Sequence, residues 1–170
     1  MAYQFSLAER QHLAYLPDIE EAAVALFSYD DLPGPLRALR VLPGEFLRAM
    51  NNRLLWVATS NNDVPIGFLL ASVIDRGLHI VEFDVHPAHG HRGVGTELLN
   101  HVLAEAQRRS FVFATLTTFE HLQWNAPFYA RRGFRVMMPE AFKPQLAEIV
   151  HMERQIGMKR RVAMTIPLAV

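Results

Sequence analysis

The stretch that decides the fold runs from Val85 to Leu99 and reads VHPAHGHRGVGTELL. An apolar strand pattern ends where this stretch begins, and an amphipathic helix pattern starts near its end. Three glycines lie between the two patterns, Gly90, Gly93 and Gly95, and they leave the backbone N–H groups of the loop open to a ligand. The N-terminus of the following helix directs its partial positive charge to the same place. The sequence therefore predicts an anion site suited to a phosphate or a pyrophosphate.

Two well-known phosphate loops do not fit this spacing. The dinucleotide fingerprint is G-x-G-x-x-G, whereas this loop has the reverse order, and the neutral stretch from Ser110 to Thr115 offers no acidic residue at the expected offset. A Walker A loop needs a lysine after its last glycine, whereas Gly95 is followed by Thr96. The loop therefore argues against both kinds of nucleotide-binding protein.

The order V-x-P, a short turn, R-G-x-G and an apolar helix resembles the acyl-CoA loop of the GNAT superfamily of N-acyltransferases. The usual superfamily loop is Gln/Arg-x-x-Gly-x-Gly/Ala. Aligned on Gly93 and Gly95, its first position falls on Gly90, which removes one side-chain contact to the cofactor but leaves the backbone cradle. The resemblance implies that acetyl-CoA is the acyl donor and that the loop binds its pyrophosphate. The implied loop contacts are Gly90, His91, Arg92, Gly93, Val94, Gly95 and Thr96.

A second stretch, residues 124–134, reads WNAPFYARRGF and matches another superfamily pattern. The superfamily commonly carries an Asn, a helix that ends in Tyr, and Gly-Phe at the start of a strand. Tyr129, Gly133 and Phe134 match in spacing, whereas Asn125 lies about one turn closer to the tyrosine than usual. The resemblance implies that Asn125 contacts the cofactor and that the Tyr129 phenol is the general acid that protonates the leaving thiolate. The alternative for this tyrosine is an ordinary buried aromatic residue.

The resemblance covers residues 54–136 well and the flanks by pattern. It implies an α/β fold with a mixed, mainly antiparallel sheet, helices on both faces and splayed central strands, in a single acyl-CoA N-acyltransferase domain over residues 1–170. Hydrophobic periodicity gives a compatible element order. The predicted strands are 3–7, 54–59, 66–74, 78–85, 111–117, 134–137 and 161–167. The predicted helices are 17–27, 36–41, 45–52, 93–109, 126–132 and 140–153. The methionines predicted to fill the core are Met137, Met138, Met152, Met158 and Met164.

The donor and the acceptor are expected on opposite sides of the splayed strands. By resemblance, the pantetheine arm pairs with the backbone near Phe83 and Val85, much as an added strand does. The acceptor amine would come in under the Pro- and Gly-rich loop 28–44. In that loop Tyr29, Asp30 and Asp31 could attract an ammonium group, and the alternative is a solvated acidic turn.

Two carboxylates, Glu82 and Asp84, fall on one face of the predicted central strand 78–85. Carboxylates are unexpected there unless they border a cleft. Glu82 is the predicted general base, since Asp84 could instead cap the turn that follows. His79 and water are alternatives for the base, and an ion pair with an arginine is the structural alternative for the carboxylates.

Composition excludes several classes of function. Lysine plus arginine equals aspartate plus glutamate at 17 each, so no overall field predicts a nucleic-acid partner. The apolar runs are far too short to cross a membrane, and the start of the chain lacks the basic and apolar pattern of a secretory signal. We therefore expect a cytoplasmic protein of one domain, without nucleic-acid or membrane partners, and a homodimer stays open.

The chain has no cysteine, which excludes disulfides and a cysteine acyl-enzyme. His86, His89 and His91 lie close in sequence, but they lack a carboxylate or thiolate at ligand spacing, so no metal is expected. The basic run from Lys159 to Arg161 is predicted to be the solvated start of a strand.

The resemblance implies an N-acetyltransferase that moves an acetyl group from acetyl-CoA to a primary amine, and the absence of cysteine favours direct attack by the amine. The acceptor, a small molecule or a peptide, is not specified by the sequence. The alternative function is a non-enzymatic acyl-CoA-binding or regulatory module on the same fold.

Overall fold

The computed structural model describes residues 3–168, and within them it contains seven strands and six α-helices. The strands are β1 Gln4–Leu7, β2 Leu55–Thr59, β3 Pro65–Ile74, β4 Gly77–Val85, β5 Phe113–Phe119, β6 Arg135–Val136 and β7 Arg161–Pro167. The helices are α1 Leu16–Val24, α2 Gly34–Arg37, α3 Pro43–Asn51, α4 Val94–Arg108, α5 Ala126–Ala130 and α6 Pro144–Gln155. The α/β class and the element order predicted from the sequence are confirmed.

The strands form one sheet in the order β1-β2-β3-β4-β5-β7-β6. The pairs β1–β2, β2–β3, β5–β7 and β6–β7 are antiparallel. β4 and β5 are parallel, with paired residues from Leu78–Ala114 to Ile80–Leu116. A parallel pair needs a long crossover, and α4 supplies it here. The sheet is therefore mixed and mainly antiparallel, as predicted.

Several element boundaries differ from the predictions, and two of the differences have clear local reasons. β5 begins at Phe113 because the chain first has to turn away from the end of α4. In this turn Ser110 has a positive φ of 62°, and the Phe111 N–H donates to the Ala106 carbonyl at 3.0 Å. α1 ends at Val24, where the Arg37 guanidinium donates to the Val24 carbonyl at 3.2 Å. An arginine from a later segment therefore caps this helix.

Backbone contacts divide the chain into two compact units. Unit 1 contains the chain up to Ser72 together with Val81–Glu105, and unit 2 contains Val73–Ile80 together with the chain from Ala106 onward. In unit 1, the buried rings of Phe46 and Phe68 meet edge to face at 5.4 Å between centroids. The core of unit 2 is a cluster of Ile74, Leu146, Val150 and Ala163. Each unit therefore has an apolar core of its own.

Predictions about three side chains in unit 2 are wrong. Met138 and Met152 are exposed rather than core residues, because Met138 follows a two-residue strand and Met152 lies away from the buried Leu146–Val150 stripe of α6. Arg161 is not solvated, since its guanidinium pairs with the Glu153 carboxylate at 2.8 Å and both side chains are mostly buried.

Candidate functional site

The predicted anion loop lies in unit 1 and begins where β4 ends. The His86 N–H donates to the Ile66 carbonyl of β3 at 2.8 Å, which ties the start of the loop to the sheet. A single 3-10 turn, Pro87–His89, follows. Its cap is His86, whose Nδ1 accepts the Ala88 N–H at 3.2 Å. The interpretation of Asp84 as the cap of this turn is therefore wrong, because the histidine that follows the strand occupies that role.

The structure gives a local reason for the glycine at position 90, where this loop departs from the usual Gln/Arg-x-x-Gly-x-Gly/Ala pattern. The Gly90 N–H donates to the Pro87 carbonyl at 3.0 Å, and a Cβ on Gly90 would lie 3.1 Å from the same oxygen. A side chain would crowd the turn at this point. The next residue, His91, carries a positive φ of 58°. The left-handed conformation in this part of the loop is therefore supplied by a histidine rather than by Gly90.

Gly93 and the start of α4 make the other half of the loop. Gly93 has a φ of 82°, a conformation that L side chains rarely adopt, and its carbonyl accepts the Glu97 N–H at 3.0 Å. This bond closes the first turn of α4, so the N–H groups of Val94 and Gly95 precede the helical bonds and point out of the helix end. His91, Arg92 and Gly93 are exposed. The helix N-terminus is thus accessible and suited to an anion.

The second half of β4 is more accessible than the first. Gly77–Ile80 are buried, whereas Val81 is exposed and Glu82–Val85 are half-buried. β3 passes very close to this part of the strand, since a Cβ on Gly67 would lie 2.9 Å from the Asp84 carbonyl oxygen. The backbone near Phe83 and Val85 therefore belongs to a half-buried strand segment, as the predicted pantetheine contact requires.

Glu82 and Asp84 form an acidic cluster with a third carboxylate, Glu20 of α1. Asp84 is hydrogen-bonded to Glu82. Burial raises the pKa of Asp84 well above its ordinary value, the Glu82 and Glu20 carboxylates raise this pKa further, and Arg40 lowers it. The Oδ2 atom of Asp84 is buried without a hydrogen-bond partner. The structure therefore brings together the two carboxylates named from the sequence and adds Glu20 and Arg40.

Glu20 is only 4% exposed and is the residue that sequence reasoning missed. Its Oε1 atom accepts the Val41 N–H at 3.0 Å, and its Oε2 atom is buried without a partner. Burial raises the pKa of Glu20, the Val41 bond and Arg40 lower it, and Glu45 raises it. A sequence signal was present, because Glu20 follows Leu16 at helical spacing and so falls on the apolar stripe of α1.

His79 is poorly suited to act as the base. It is 3% exposed, and its Nδ1 lies 2.9 Å from the Thr115 hydroxyl. Burial lowers its pKa to about 4, so the imidazole is neutral at pH 7. His79 and Glu82 are three residues apart on β4, so their side chains lie on opposite faces of the strand. These observations favour the carboxylates over His79.

Tyr129 lies in unit 2, on the short helix α5, and is 8% exposed. Its ring packs edge to face against Phe134 at 5.6 Å. Asn125 precedes the helix, and its Oδ1 accepts the Thr118 hydroxyl at 2.5 Å. The Asn125 carbonyl in turn accepts the Tyr129 N–H at 3.1 Å. The observed contacts give Asn125 a role in anchoring α5 to β5, and its predicted cofactor contact stays a prediction.

The predicted acceptor residues occupy an exposed loop of unit 1. Tyr29 is 73% exposed, and the Arg37 guanidinium lies over its ring at 4.5 Å from the centroid. Asp31 accepts the Ser28 hydroxyl at 2.7 Å, and Asp30 is exposed. The Arg37 guanidinium therefore already covers one face of the Tyr29 ring. The hydrogen bond from Ser28 to Asp31 stabilises the acidic turn.

The part of the chain that the structure describes contains no group of three or more His, Cys, Asp or Glu side chains placed to hold a metal ion. The rings of His86 and His89 meet edge to face at 6.3 Å. None of the helices within residues 3–168 combines the length and the apolar character that a membrane span needs.

Comparison with known proteins gives one family match. The model of the acetyltransferase (GNAT) family matches residues 16–134. This range includes the loop after β4, the Glu20 cluster and Tyr129.

Similar solved structures cover nearly the whole chain at low identity. The ribosomal-protein-S18-alanine N-acetyltransferase from Escherichia coli has a TM-score of 0.72 and 17% identity, with 99% of this chain and 96% of that chain covered. PaiA N-acetyltransferase from Thermoplasma acidophilum, in complex with coenzyme A, has a TM-score of 0.70 and 15% identity, with 98% and 99% covered. Ard1 from Thermoplasma volcanium has a TM-score of 0.72 and 15% identity, with both chains covered completely, at 100% each. At this identity the likeness shows the shared fold.

Proposed function

Because this chain belongs to the acetyltransferase (GNAT) family, we propose that it transfers an acetyl group from acetyl-CoA to a primary amine by direct attack. The observation that carries the proposal is the loop after β4. Gly93 turns the backbone into the left-handed region, and the accessible N-terminus of α4 follows directly. This arrangement suits the pyrophosphate of acetyl-CoA, which is the acyl donor of the family.

The proposed donor contacts are those named from the sequence. The loop from Gly90 to Thr96 binds the pyrophosphate through backbone N–H groups, with the exposed Arg92 guanidinium as an added charge. The backbone of Phe83 and Val85 pairs with the pantetheine arm. Asn125 is the proposed further cofactor contact.

The chemistry needs a base and an acid. An acceptor that arrives as an ammonium ion transfers one proton to the Glu82–Asp84 pair, so an N–H bond breaks, an O–H bond forms and the electron pair stays on nitrogen. The free amine attacks the carbonyl carbon of the thioester. The C–S bond of the tetrahedral intermediate then breaks, and the Tyr129 phenol donates its proton to the leaving sulfur. The acylated nitrogen loses its second proton to the resulting phenolate, which gives the neutral amide and restores the phenol. A cysteine acyl-enzyme is excluded, because the chain has no cysteine.

The acceptor is a small molecule or a peptide with a primary amine. Tyr29, Asp30 and Asp31 are proposed to attract it, supported by the exposure of Tyr29 and Asp30. We also propose that residues 1–170 act as a single domain of a cytoplasmic enzyme. A homodimer is compatible with this proposal.

The experiment that tests the proposal is release of free thiol from acetyl-CoA, measured with a panel of small amines, amino acids, polyamines and peptide N-termini. Release that depends on an added amine supports the transferase. Binding of acetyl-CoA without such release across the panel would support the non-enzymatic acyl-CoA-binding module instead.

A further inference from the structure

We propose that His86 is a positioning residue for the cofactor, because its ring holds the loop after β4 in the shape that binds acetyl-CoA. The inference rests on the proposed function, in which the backbone N–H groups from Gly90 to Thr96 bind the pyrophosphate. His86 precedes these groups in the chain and makes no proposed contact with the cofactor. It acts on acetyl-CoA binding through the turn that it caps.

His86 makes three of the hydrogen bonds that fix the beginning of the loop. Its N–H donates to the Ile66 carbonyl of β3 at 2.8 Å, and its carbonyl accepts the His89 N–H at 2.8 Å. Its ring makes the third bond, since Nδ1 accepts the Ala88 N–H at 3.2 Å. The first two bonds use only backbone atoms, so any residue other than proline could make them. The ring bond is the one that depends on the histidine side chain.

The loop needs an anchor at each end because two of its residues have left-handed backbone conformations. His91 has a φ of 58° and Gly93 has a φ of 82°. This conformation is unfavourable for a histidine, so the surrounding bonds have to maintain it. At the α4 end, the Gly93 carbonyl accepts the Glu97 N–H at 3.0 Å. At the β4 end, the anchor is the turn Pro87–His89, and the His86 ring completes it.

The ring bond also determines which nitrogen of His86 carries the proton. Nδ1 accepts the Ala88 N–H only when it has no proton of its own, so the neutral ring carries its proton on Nε2. In His86→Asn the Oδ1 atom takes the position of Nδ1, one bond beyond Cγ, and asparagine is a favoured cap. His86→Leu places a methyl group there and offers no acceptor. These two substitutions therefore separate the acceptor atom from the rest of the ring.

The experiment compares His86→Asn and His86→Leu with the native chain. His151→Leu is the matched control, because His151 is an exposed histidine on α6. Calorimetry measures the affinity for acetyl-CoA and needs no acceptor amine. Hydrogen exchange of the His89 and Gly90 amides, measured without ligand, reports the order of the turn. Long-range proton–nitrogen NMR spectra of the native chain report which ring nitrogen of His86 carries the proton.

We expect His86→Leu to weaken acetyl-CoA binding roughly threefold to tenfold and to speed the exchange of both amides. The reason is that loss of a cap lowers the population of the loop conformation that binds the cofactor. His86→Asn should stay within about twofold of the native affinity, and His151→Leu should match the native chain. Where an accepted amine is known, His86→Leu should raise the KM for acetyl-CoA and leave kcat nearly unchanged.

Native affinity and native exchange in a folded His86→Leu protein would overturn the inference. A folded His86→Asn protein that loses as much affinity as His86→Leu would also overturn it, and so would a native ring with its proton on Nδ1. Should His86→Leu not fold, His86→Ala removes the acceptor without adding a methyl group at that position, and the same criteria apply. Loss of affinity in His86→Leu and its recovery in His86→Asn, without any amine-dependent thiol release, would uphold the inference and contradict only the proposed transferase activity.

Discussion

The Thr118 hydroxyl on β5 donates to the Asn125 side chain at 2.5 Å, and this bond holds the segment from which α5 begins. Tyr129 lies one helical turn after Asn125 and bonds to its carbonyl. The position of the candidate acid therefore depends on a polar contact inside unit 2.

Replacement of Thr118 by Val should separate the structural and cofactor roles of Asn125. The substitution leaves the Asn125 oxygen without its donor, so stability should fall by about 1–3 kcal/mol in urea unfolding. With an accepted amine, kcat should fall while the KM for acetyl-CoA stays nearly constant, because Thr118 acts through the position of Tyr129. Asn125→Ala should raise the KM for acetyl-CoA if Asn125 also contacts the cofactor. An unchanged KM in that variant would restrict Asn125 to anchoring α5.

Acetyl-CoA binding should depend on the glycines at the start of α4. Gly95→Val places a branched side chain where the pyrophosphate is proposed to approach the backbone, so the calorimetric affinity should fall at least tenfold, or about 1.4 kcal/mol. Gly44→Ala is the control, since Gly44 lies in a helical first turn with open space around its Cβ position. Equal affinities in folded Gly95→Val and Gly44→Ala proteins would contradict the loop assignment.

Tyr129→Phe tests the proton donor. The variant keeps the ring that packs against Phe134 and removes only the hydroxyl, so folding should be preserved. Turnover should fall on the order of 10²–10⁴-fold if the donor is lost entirely, with acetyl-CoA affinity little changed. Full activity of the variant would show that Tyr129 is a buried core residue of unit 2 and not the proton donor.

The acidic turn at Asp30 and Asp31 should attract an ammonium acceptor over a short range. In the Asp30→Asn, Asp31→Asn double variant the KM for the amine should rise roughly two- to fivefold, and the effect should shrink in high salt. Asp18→Asn with Glu21→Gln removes two exposed charges from α1 and serves as the control. An amine KM that is the same in both double variants would place acceptor recognition elsewhere.

His79 should make folding stability depend on acidity. Its pKa is lowered to about 4 from the ordinary value of 6.5. Between these two pH values the unfolded chain therefore binds a proton at His79 that the folded chain does not bind. The stabilisation is complete above about pH 6.5 and is lost as the pH falls through 6.5 toward 4, on the order of 3 kcal/mol. His79→Asn keeps a polar partner for Thr115 and should remove this dependence in urea unfolding measured at several pH values. His151→Asn, at an exposed histidine, should retain it.

Local patterns were sufficient to predict most of the fold and the two motif segments. The loop from Gly90 to Thr96 and the block around Tyr129 are each continuous in sequence, so both could be compared directly with the patterns of the superfamily that the chain resembles. The acidic cluster was predicted only in part, because Glu20 lies more than sixty residues from Asp84 in the sequence, and its charge acts on Asp84 only in the folded chain. The helical period of α1 places Glu20 on a buried stripe, yet the chemical meaning of that position depends on its neighbours.

Two other predictions are wrong for different reasons. The hypothesis that Asp84 could cap the turn is wrong because the His86 ring accepts the Ala88 N–H instead. Arg161 was read as solvated because its partner, Glu153, comes from a different element. The first case depends on a bond within one turn, and the second depends on a contact between two elements.

The order of the strands in the sheet also determines when each strand can pair during synthesis of the chain. β7 lies between β5 and β6, although it is the last of the seven strands to leave the ribosome. β6 pairs with β7 through Arg135 and Val136, so it has to wait for residues 161–167 before it can join the sheet. β5 meets its antiparallel neighbour at the same late stage. Unit 2 should therefore complete its strand pairing only after residues 161–167 have been translated. A nascent chain halted before Arg161 should expose the β5 edge to chaperones and to aggregation.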